Sequence, residues 1–445
     1  MSDWTAGYTT DIDYTYGYYS ELNPLRVQLA FLQARLAPPL ISTACELGFG
    51  QGMSINLHAA ASGITWHGTD FNPAQAAFAQ EMAHSAQAGA HLFDDSFEEF
   101  CARSDLPAFD YIGLHGIWSW ISDDNRRHIV DFVRRKLKVG GVLYISYNTQ
   151  PGWAAMVPLR ELFTEHASVM GAPGAGAVQR VDDALAFAEK LFATHPGYLR
   201  AHPGLADRLK KIKGQNRHYL VHEYFNRDWQ PMSFSSMAQW LQPAKLQWAC
   251  SAHLIDAVDG VNLTADQQAL LSDIKDPVFR QTVRDHCVNQ QFRKDYWVKG
   301  ARTLTTSEQT EQLRSVLVVL TQPRPNVSLK IQGHLGEANM QAAIYEPILD
   351  ALADRKPQTI GQLEQAVKGK KISFGQLVQA VVVLCGTGAL AAAQDTPQVE
   401  RARASASRLN SLLLDKSRSR PDMAYLASPV LGGGVSVGRF AQLFL

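Results

Sequence analysis

Paired cysteines are what this 445-residue chain lacks first: Cys45, Cys101, Cys250, Cys287 and Cys385 form no Cys-x-x-Cys or Cys/His spacing. That excludes a zinc ribbon or disulfide framework, points to free thiols in a reducing compartment, and leaves no metal site to expect. Net charge is absent too, with 42 Lys+Arg against 42 Asp+Glu. No overall basic field exists to recruit nucleic acid or an anionic membrane. No apolar run reaches the ~20 residues of a membrane span, and Met1-Ser2-Asp3-Trp4 lacks the basic and apolar regions of a signal peptide. The expectation is a cytoplasmic protein with no membrane insertion. No internal repeat or long low-complexity segment is apparent, and the length suffices for two or three domains with sizeable cores.

What is present is a glycine turn. The apolar run Leu40 to Cys45 leads into Glu46-Leu47-Gly48-Phe49-Gly50-Gln51-Gly52, an acid followed by glycines at alternate positions. Such glycines let a backbone fold sharply and approach a ligand, and the next helix points its N-terminal amides at the same place. A dinucleotide fingerprint needs its third glycine where this chain has Met53, while Glu46 suits a positively charged amino group. The pattern favours S-adenosyl-L-methionine over NAD. Ile64 to Asp70 then reads as a short strand ending in a carboxylate about 20 residues after the turn, where doubly wound folds grip a ribose. Asn72-Pro73 can open the next helix and leave Asp70 free for that role.

Strands and helices alternate from Leu40 to Asn148: strand 40–47, helix 52–62, strand 64–70, helix 73–87, strand 90–93, a short helix after Ser96, strand 109–114, helix 123–137, strand 141–147. This spacing predicts an α/β, doubly wound, parallel sheet with its ligand outside the carboxyl ends of the strands. Residues 1–150 form that core. Residues 151–217 read as a helical insertion over the site, interrupted by Gly171 to Gly176. Residues 218–305 resume the pattern, with a helix from Ser233 to Leu241 and strand-like runs at 246–252 and 295–299 that suit an antiparallel edge pair. A polar linker, Thr303 to Glu311, leads to a smaller C-terminal α+β unit, 306–445. Its strands near 314–320 and 327–332, its helices near 338–353, 359–367 and 373–386, and Gly386-Thr387-Gly388 before Ala389 to Ala393 suggest a winged-helix-like fold. The helix carrying Leu377, Val378, Val381, Val382, Val383 and Leu384 is apolar on several sides, unlike a basic recognition helix. Packing, a protein partner or a dimer contact suits this unit better than nucleic acid.

Two further segments carry a resemblance. Phe109-Asp110-Tyr111-Ile112-Gly113-Leu114-His115-Gly116-Ile117-Trp118-Ser119-Trp120 resembles an "HGVYSW" segment, and Ser146-Tyr147-Asn148-Thr149-Gln150-Pro151-Gly152-Trp153 resembles "SYNTLPGW". Both segments belong to a bacterial family of class I S-adenosylmethionine-dependent methyltransferases with a methyltransferase regulatory domain. His218 to Phe225 and Gln291-Phe292-Arg293 resemble landmarks of that domain. The resemblance implies a Rossmann-like, seven-stranded methyltransferase sheet, and characterised members include protein-lysine methyltransferases of bacterial surface proteins. It also implies roles. Glu46, Gly48, Gly50 and Gly52 hold the methionine moiety, Asp70 and Phe71 the ribose and adenine edge, and Asp95, Ser96 and Phe97 the adenine. His115 and Gly116 end the fourth strand, where sulfonium and acceptor meet. In place of the common Asn/Asp-Pro-Pro-aromatic signature of amine methylation, this chain has His115-Gly116.

The remaining expectations follow from the chemistry of methyl transfer. A lysine near pKa ~10.4 must lose a proton before it can attack, and an apolar aromatic pocket encourages that loss. Trp118, Trp120, Tyr147, Asn148 and Trp153 are the expected acceptor walls, with Trp118 and Tyr147 at strand ends favoured. His115 is the titratable candidate for a base. Tyr14 and Tyr18, from an aromatic N-terminal run, can meet a sulfonium by cation–π contact, and Arg26 can reach the donor's carboxylate. The leading expectation is methyl transfer to a protein, at lysine; a glycan or metabolite acceptor, and a cofactor-sensing binding module without turnover, stand as alternatives.

Overall fold

The computed structural model describes residues 16–172, 174–420 and 422–445. Helix α1 (Pro24–Gln33) starts where Asn23 accepts from Leu25 N and a proline fills the first turn. There follow β1 (Thr43–Leu47), α2 (Met53–Ala61), β2 (Thr65–Thr69), α3 (Pro73–Ala86), β3 (Ala90–Phe93), α4 (Phe97–Ala102), β4 (Phe109–Leu114), α5 (Asp123–Lys136) and β5 (Leu137–Asn148). The expected edge pair is β6 (Leu246–Ser251) and β7 (Phe292–Lys299). Together they make a seven-stranded sheet of order β3-β2-β1-β4-β5-β7-β6. The first five strands are parallel, and β7 runs antiparallel between β5 and β6. The order reverses between β1 and β4, which opens a crevice above their carboxyl ends.

Alternation along the strands fills two cores. Tyr111, Tyr144 and Tyr296 pack on one face with Trp66 and Phe31. Their neighbours Ile112, Ile145 and Trp297 pack on the other with Phe109, Phe132 and Trp118. After β5 come α6 (Val157–Val169), α7 (Ala177–Ala193), α8 (Gly197–Ala201), α9 (Leu205–Lys213) and α10 (Arg217–Tyr224). Trp153, Phe163, Leu185, Leu209 and Leu220 give these helices a core of their own. The long β6–β7 connection contains the helices Ala265–Asp273 and Pro277–Val288.

In the tail, Leu317–Leu320 is flanked by the short strands Gln358–Thr359 and Leu390–Ala392. The helix Phe374–Gly386 buries Leu377, Val381, Val382 and Leu384. Residues 303–311 are not a linker throughout. A helix, Thr306–Ser315, starts there, because Thr305 and Glu308 close a reciprocal capping box. A further helix, Thr396–Ser417, seats Ala406, Leu409 and Leu413 against Leu57, Met82 and Ala86 of α2 and α3. Arg408 donates to the Ala86 carbonyl at 2.8 Å, so this helix clamps the two helices that follow the glycine turn and β2. Among the described residues, no helix is long and apolar enough to cross a membrane, and no cluster of His, Cys, Asp and Glu is arranged to hold a metal ion.

Candidate active site

The turn after β1 needs its glycines. Gly48, Gly50 and Gly52 have φ of 72°, 59° and 71°, a region L side chains rarely adopt. A Cβ on Gly48 would stand 2.5 Å from Ile117 Cδ1, and one on Gly52 2.3 Å from Ala79 Cβ. Asp70, at the end of β2, ties this turn down: Oδ2 accepts from Gly50 N at 2.8 Å and Oδ1 from Asn72 N at 3.1 Å. Asn72 itself caps α3, accepting from Ala74 N.

Beside it Glu46 is buried, and its Oε2 has no hydrogen-bond partner among the described residues. Burial, then the neighbouring Asp70 charge, pushes the Glu46 carboxyl up to about 8. Burial likewise pushes Asp70 up to about 7, against the two amides that favour its charged form. Because these acids hold protons in the folded state that the unfolded chain releases near pH 4, the contribution of this pair to folding stability falls as pH rises from about 4 toward 8. Glu46→Gln is therefore expected to be more stable than the parent at pH 8 by a few kcal/mol, roughly, and little changed at pH 4.5. Urea midpoints at the two pH values check this.

Above the turn lies a cavity of about 570 Å³, within the range of small-molecule sites. Glu46, Gly48, Gly50, Asp70 and Phe71 border it, as do Asp95, Ser96, Phe97, His115 and Gly116. Of the expected acceptor walls, Trp120, Asn148 and Trp153 border it too. Two of these groups have other work. Asp95 pairs with Arg103 at 3.0 Å, and Ser96 caps α4 in a box with Glu99.

Other expectations need correction. Trp118 and Tyr147, expected to touch the acceptor, are fully buried below the sheet. Trp118 donates to Met232 Sδ and meets Trp240 edge to face, and Tyr147 donates to Asp295. Strand alternation is the reason at β5: Ser146 and Asn148 face the crevice, so Tyr147 cannot. Arg26 does not border the cavity; its Nε donates to the Ala252 carbonyl at 3.0 Å. Tyr18 packs between His58 and Tyr425, where burial raises its phenol to about 12. Gly52 serves the packing of α2 on α3 instead of the cavity wall. Tyr14 lies outside the described residues. Among the described residues, Gly17 and Tyr19 are the N-terminal ones that border the cavity.

His115 is no base in this setting. Its ring stacks on Tyr19 with centroids 3.6 Å apart, and its Nδ1 is 2.7 Å from Tyr144 Oη. Burial drives its pKa down to about 3, with the Glu21 charge only partly opposing. An imidazole that hard to protonate is a poor proton acceptor at neutral pH. Burial also holds the Tyr144 phenol well above its usual range. The neutral phenol and the neutral ring therefore share one hydrogen bond through Nδ1. Gly116 N donates to Ser146 Oγ at 2.8 Å, and Ser146 also bonds Tyr144, so the whole wall is fixed and neutral.

The far wall comes from segments that the sequence marked as regulatory-domain landmarks without a role in the site. Tyr219, His222, Glu223 and Asn226 border the cavity from α10 and the residue turn beyond it, with Gln291 and Phe292 from the start of β7. Positions 219, 222 and 223 follow helical spacing, a polar stripe on α10. Six acidic residues border the cavity, Glu46, Asp70, Asp95, Glu98, Glu223 and Asp228, and no lysine or arginine does among the described residues.

Comparison with known proteins agrees with this architecture. A family model described as a predicted methyltransferase regulatory domain matches residues 216–299, the span that runs from α10 through β7. Over 447 residues, "uncharacterized protein sll1526" of Synechocystis is 41% identical, covering 99% of this chain and 87% of that protein. This chain belongs to that family, the class I methyltransferases with a regulatory domain. Among solved structures, PKMT2 from Rickettsia typhi shares the family fold at 17% identity and a TM-score of 0.67, over 96% of this chain and 87% of that one. The same protein in complex with AdoHcy gives 19% identity and a TM-score of 0.63, over 85% of this chain and 77% of that one. In this methyltransferase the regulatory domain is no distant appendage, since α10 and β7 supply part of the cavity wall.

Proposed function

We propose that this chain is an S-adenosyl-L-methionine-dependent methyltransferase acting on a protein, with a lysine nitrogen as acceptor. The observation that carries the reading is the cavity's acidic lining: acids border it from the glycine turn to α10, and no lysine or arginine does among the described residues. The residues fit the donor. The unpartnered Glu46 Oε2 suits an ammonium, Asp70 has lone pairs left for ribose hydroxyls, and the glycines leave room for a ligand against the turn. Phe71 and Phe97 offer apolar surface for a base. Bound there, the donor supplies an activated methyl group on sulfonium.

The protein's task is then alignment and exclusion of water, and alignment alone is worth roughly 7–11 kcal/mol. Tyr19, His115 and Phe292 give a rigid aromatic floor, where a charged amine is disfavoured relative to a neutral one. The support for a protein acceptor is the resemblance to protein-lysine methyltransferases and the fold shared with PKMT2.

Methyl-labelled donor mixed with the full chain and extract from the cells that make it is expected to label protein bands, and acid hydrolysis to return the label as methyl-lysine. Label confined to glycan or small molecules would replace this acceptor with another. Donor binding with no transfer to any fraction would leave a cofactor-sensing module.

A further inference from the structure

The cavity wall contributed by the regulatory domain holds a second functional pair. Tyr219 and Glu223 stand four residues apart on α10, so their side chains share one face, and both border the cavity with His115, Asn148 and Phe292. Their side chains are hydrogen-bonded to each other. The backbone beneath them is held as well, since the Glu223 carbonyl accepts from Trp120 Nε1 at 3.4 Å. A half-buried acid on this helix, facing a cavity with no lysine or arginine on its wall among the described residues, favours a cation or a proton from elsewhere.

We propose that Glu223 binds the acceptor ammonium and takes its proton, with Tyr219 as the positioning residue that orients the carboxylate. This inference rests on the proposed amine acceptor and deepens it. In the step, one N–H proton of the lysine ammonium passes to the Glu223 carboxylate, leaving a neutral amine. The amine's lone pair forms the new N–C bond, the S–C bond of the donor breaks, and its electron pair stays on sulfur as a thioether. The product is a methylated ammonium and a protonated Glu223, which returns its proton to solvent.

The surroundings tune this acid to the task. Burial pushes Glu223 up to about 7, opposed by the Tyr219 hydrogen bond and by the charges of Arg208 on α9 and Arg160 on α6. Tyr224 on its own helix also faces it, and Tyr19 lies close to Tyr219. The two arginines are held elsewhere, Arg208 over the Trp153 ring at 4.3 Å and Arg160 over Trp229 at 5.3 Å, so neither neutralises the pair by direct contact. A proton acceptor near neutrality is the strength that general base catalysis favours. His115, uncharged and bonded to Tyr144, does not compete for that role.

The test compares Glu223→Gln and Glu223→Asp with the parent, as full chains, on the protein bands that accept label. Donor binding is expected to be unchanged in both variants, because the Glu223 side chain is held by Tyr219 and not by the glycine turn. Transfer by Glu223→Gln at pH 7 is expected to fall about 10²-fold. Its rate should climb about tenfold per pH unit up to pH 9 as free lysine amine becomes available, while the parent's levels off above about pH 7. Glu223→Asp should keep a levelling profile at reduced rate. A Glu223→Gln variant with the parent's rate and profile overturns the inference while leaving the methyltransferase reading intact. A parent that labels no protein, or labels a residue other than lysine, overturns both.

Discussion

Replacing Asp70 by alanine is expected to weaken binding of S-adenosylhomocysteine about 100-fold, with the fold retained. Asp70 directly follows β2, borders the cavity, and receives Gly50 N and Asn72 N on its two oxygens. In the proposed complex it would also accept from ribose hydroxyls, and hydrogen bonds to a charged group are worth about 1.5–3 kcal/mol each. The substitution removes the ligand contact and frees the glycine turn at the same time, and 1.4 kcal/mol is a factor of ten. Asp70→Asn keeps acceptor oxygen and shape, so its loss should be closer to tenfold. Far-UV circular dichroism should not distinguish the variants. Calorimetric titration gives the ratio, and an Asp70→Ala protein binding as tightly as the parent would place the ligand elsewhere.

The second large effect is on stability. Arg293, buried in β7, pairs with both Asp285 and Asp295, and its Nε lies 2.8 Å from Asp295 Oδ2. Asp295 also accepts from Trp248 Nε1 at 2.9 Å and Tyr147 Oη at 3.1 Å. This network fastens the two strands of the regulatory region to the methyltransferase sheet, and Arg293 supplies its cation. Arg293→Ala leaves two buried carboxylates without a counter-charge, and breaking such a pair costs about 3–5 kcal/mol. Asp285, already pushed up to about 6 mainly by burial despite Arg293, would move further up. We expect a urea midpoint lowered by that amount over the parent's m-value, with the loss smaller at pH 5, where protonation of Asp285 relieves the uncompensated charge. A midpoint within 0.5 kcal/mol of the parent's, about the scale of an ordinary surface change, would contradict this role.

The sequence disclosed the turn and the carboxylate that border the cavity, where backbone constraint and chemistry coincide. Glycines at 48, 50 and 52 read as a turn because the left-handed φ there tolerates little else, and Asp70 followed from the length of one βα unit. Edge strands β6 and β7 were legible from their alternating residues despite the long helical connection between them. Trp118 and Tyr147 misled because aromatic rings near strand ends serve a core as readily as a pocket. At β5, counting the two-residue period from Asn148 would have sent Tyr147 to the other face.

Glu223 and Tyr219, legible only as part of a family landmark, drew no site role for the opposite reason. They come from a helix about 100 residues beyond β4, and only the tertiary fold brings them over His115. The helix Thr396–Ser417 carried its signal quietly, as Ala402, Ala406, Leu409 and Leu413 at helical spacing in an otherwise polar stretch. Small residues on the buried stripe let it lie close on α2 and α3, which a search for large apolar residues overlooks.

Seating of the donor over the glycine turn, between Glu46 and Asp70, is the placement on which the proposed function depends. Its most direct test is titration of ligand-free parent protein with S-adenosylhomocysteine at pH 6 and pH 8.5. One site per chain, with a dissociation constant on the order of micromolar and tighter at pH 8.5 where both carboxyls ionise, is the predicted result. Fully folded protein that gives no heat at either pH would contradict it.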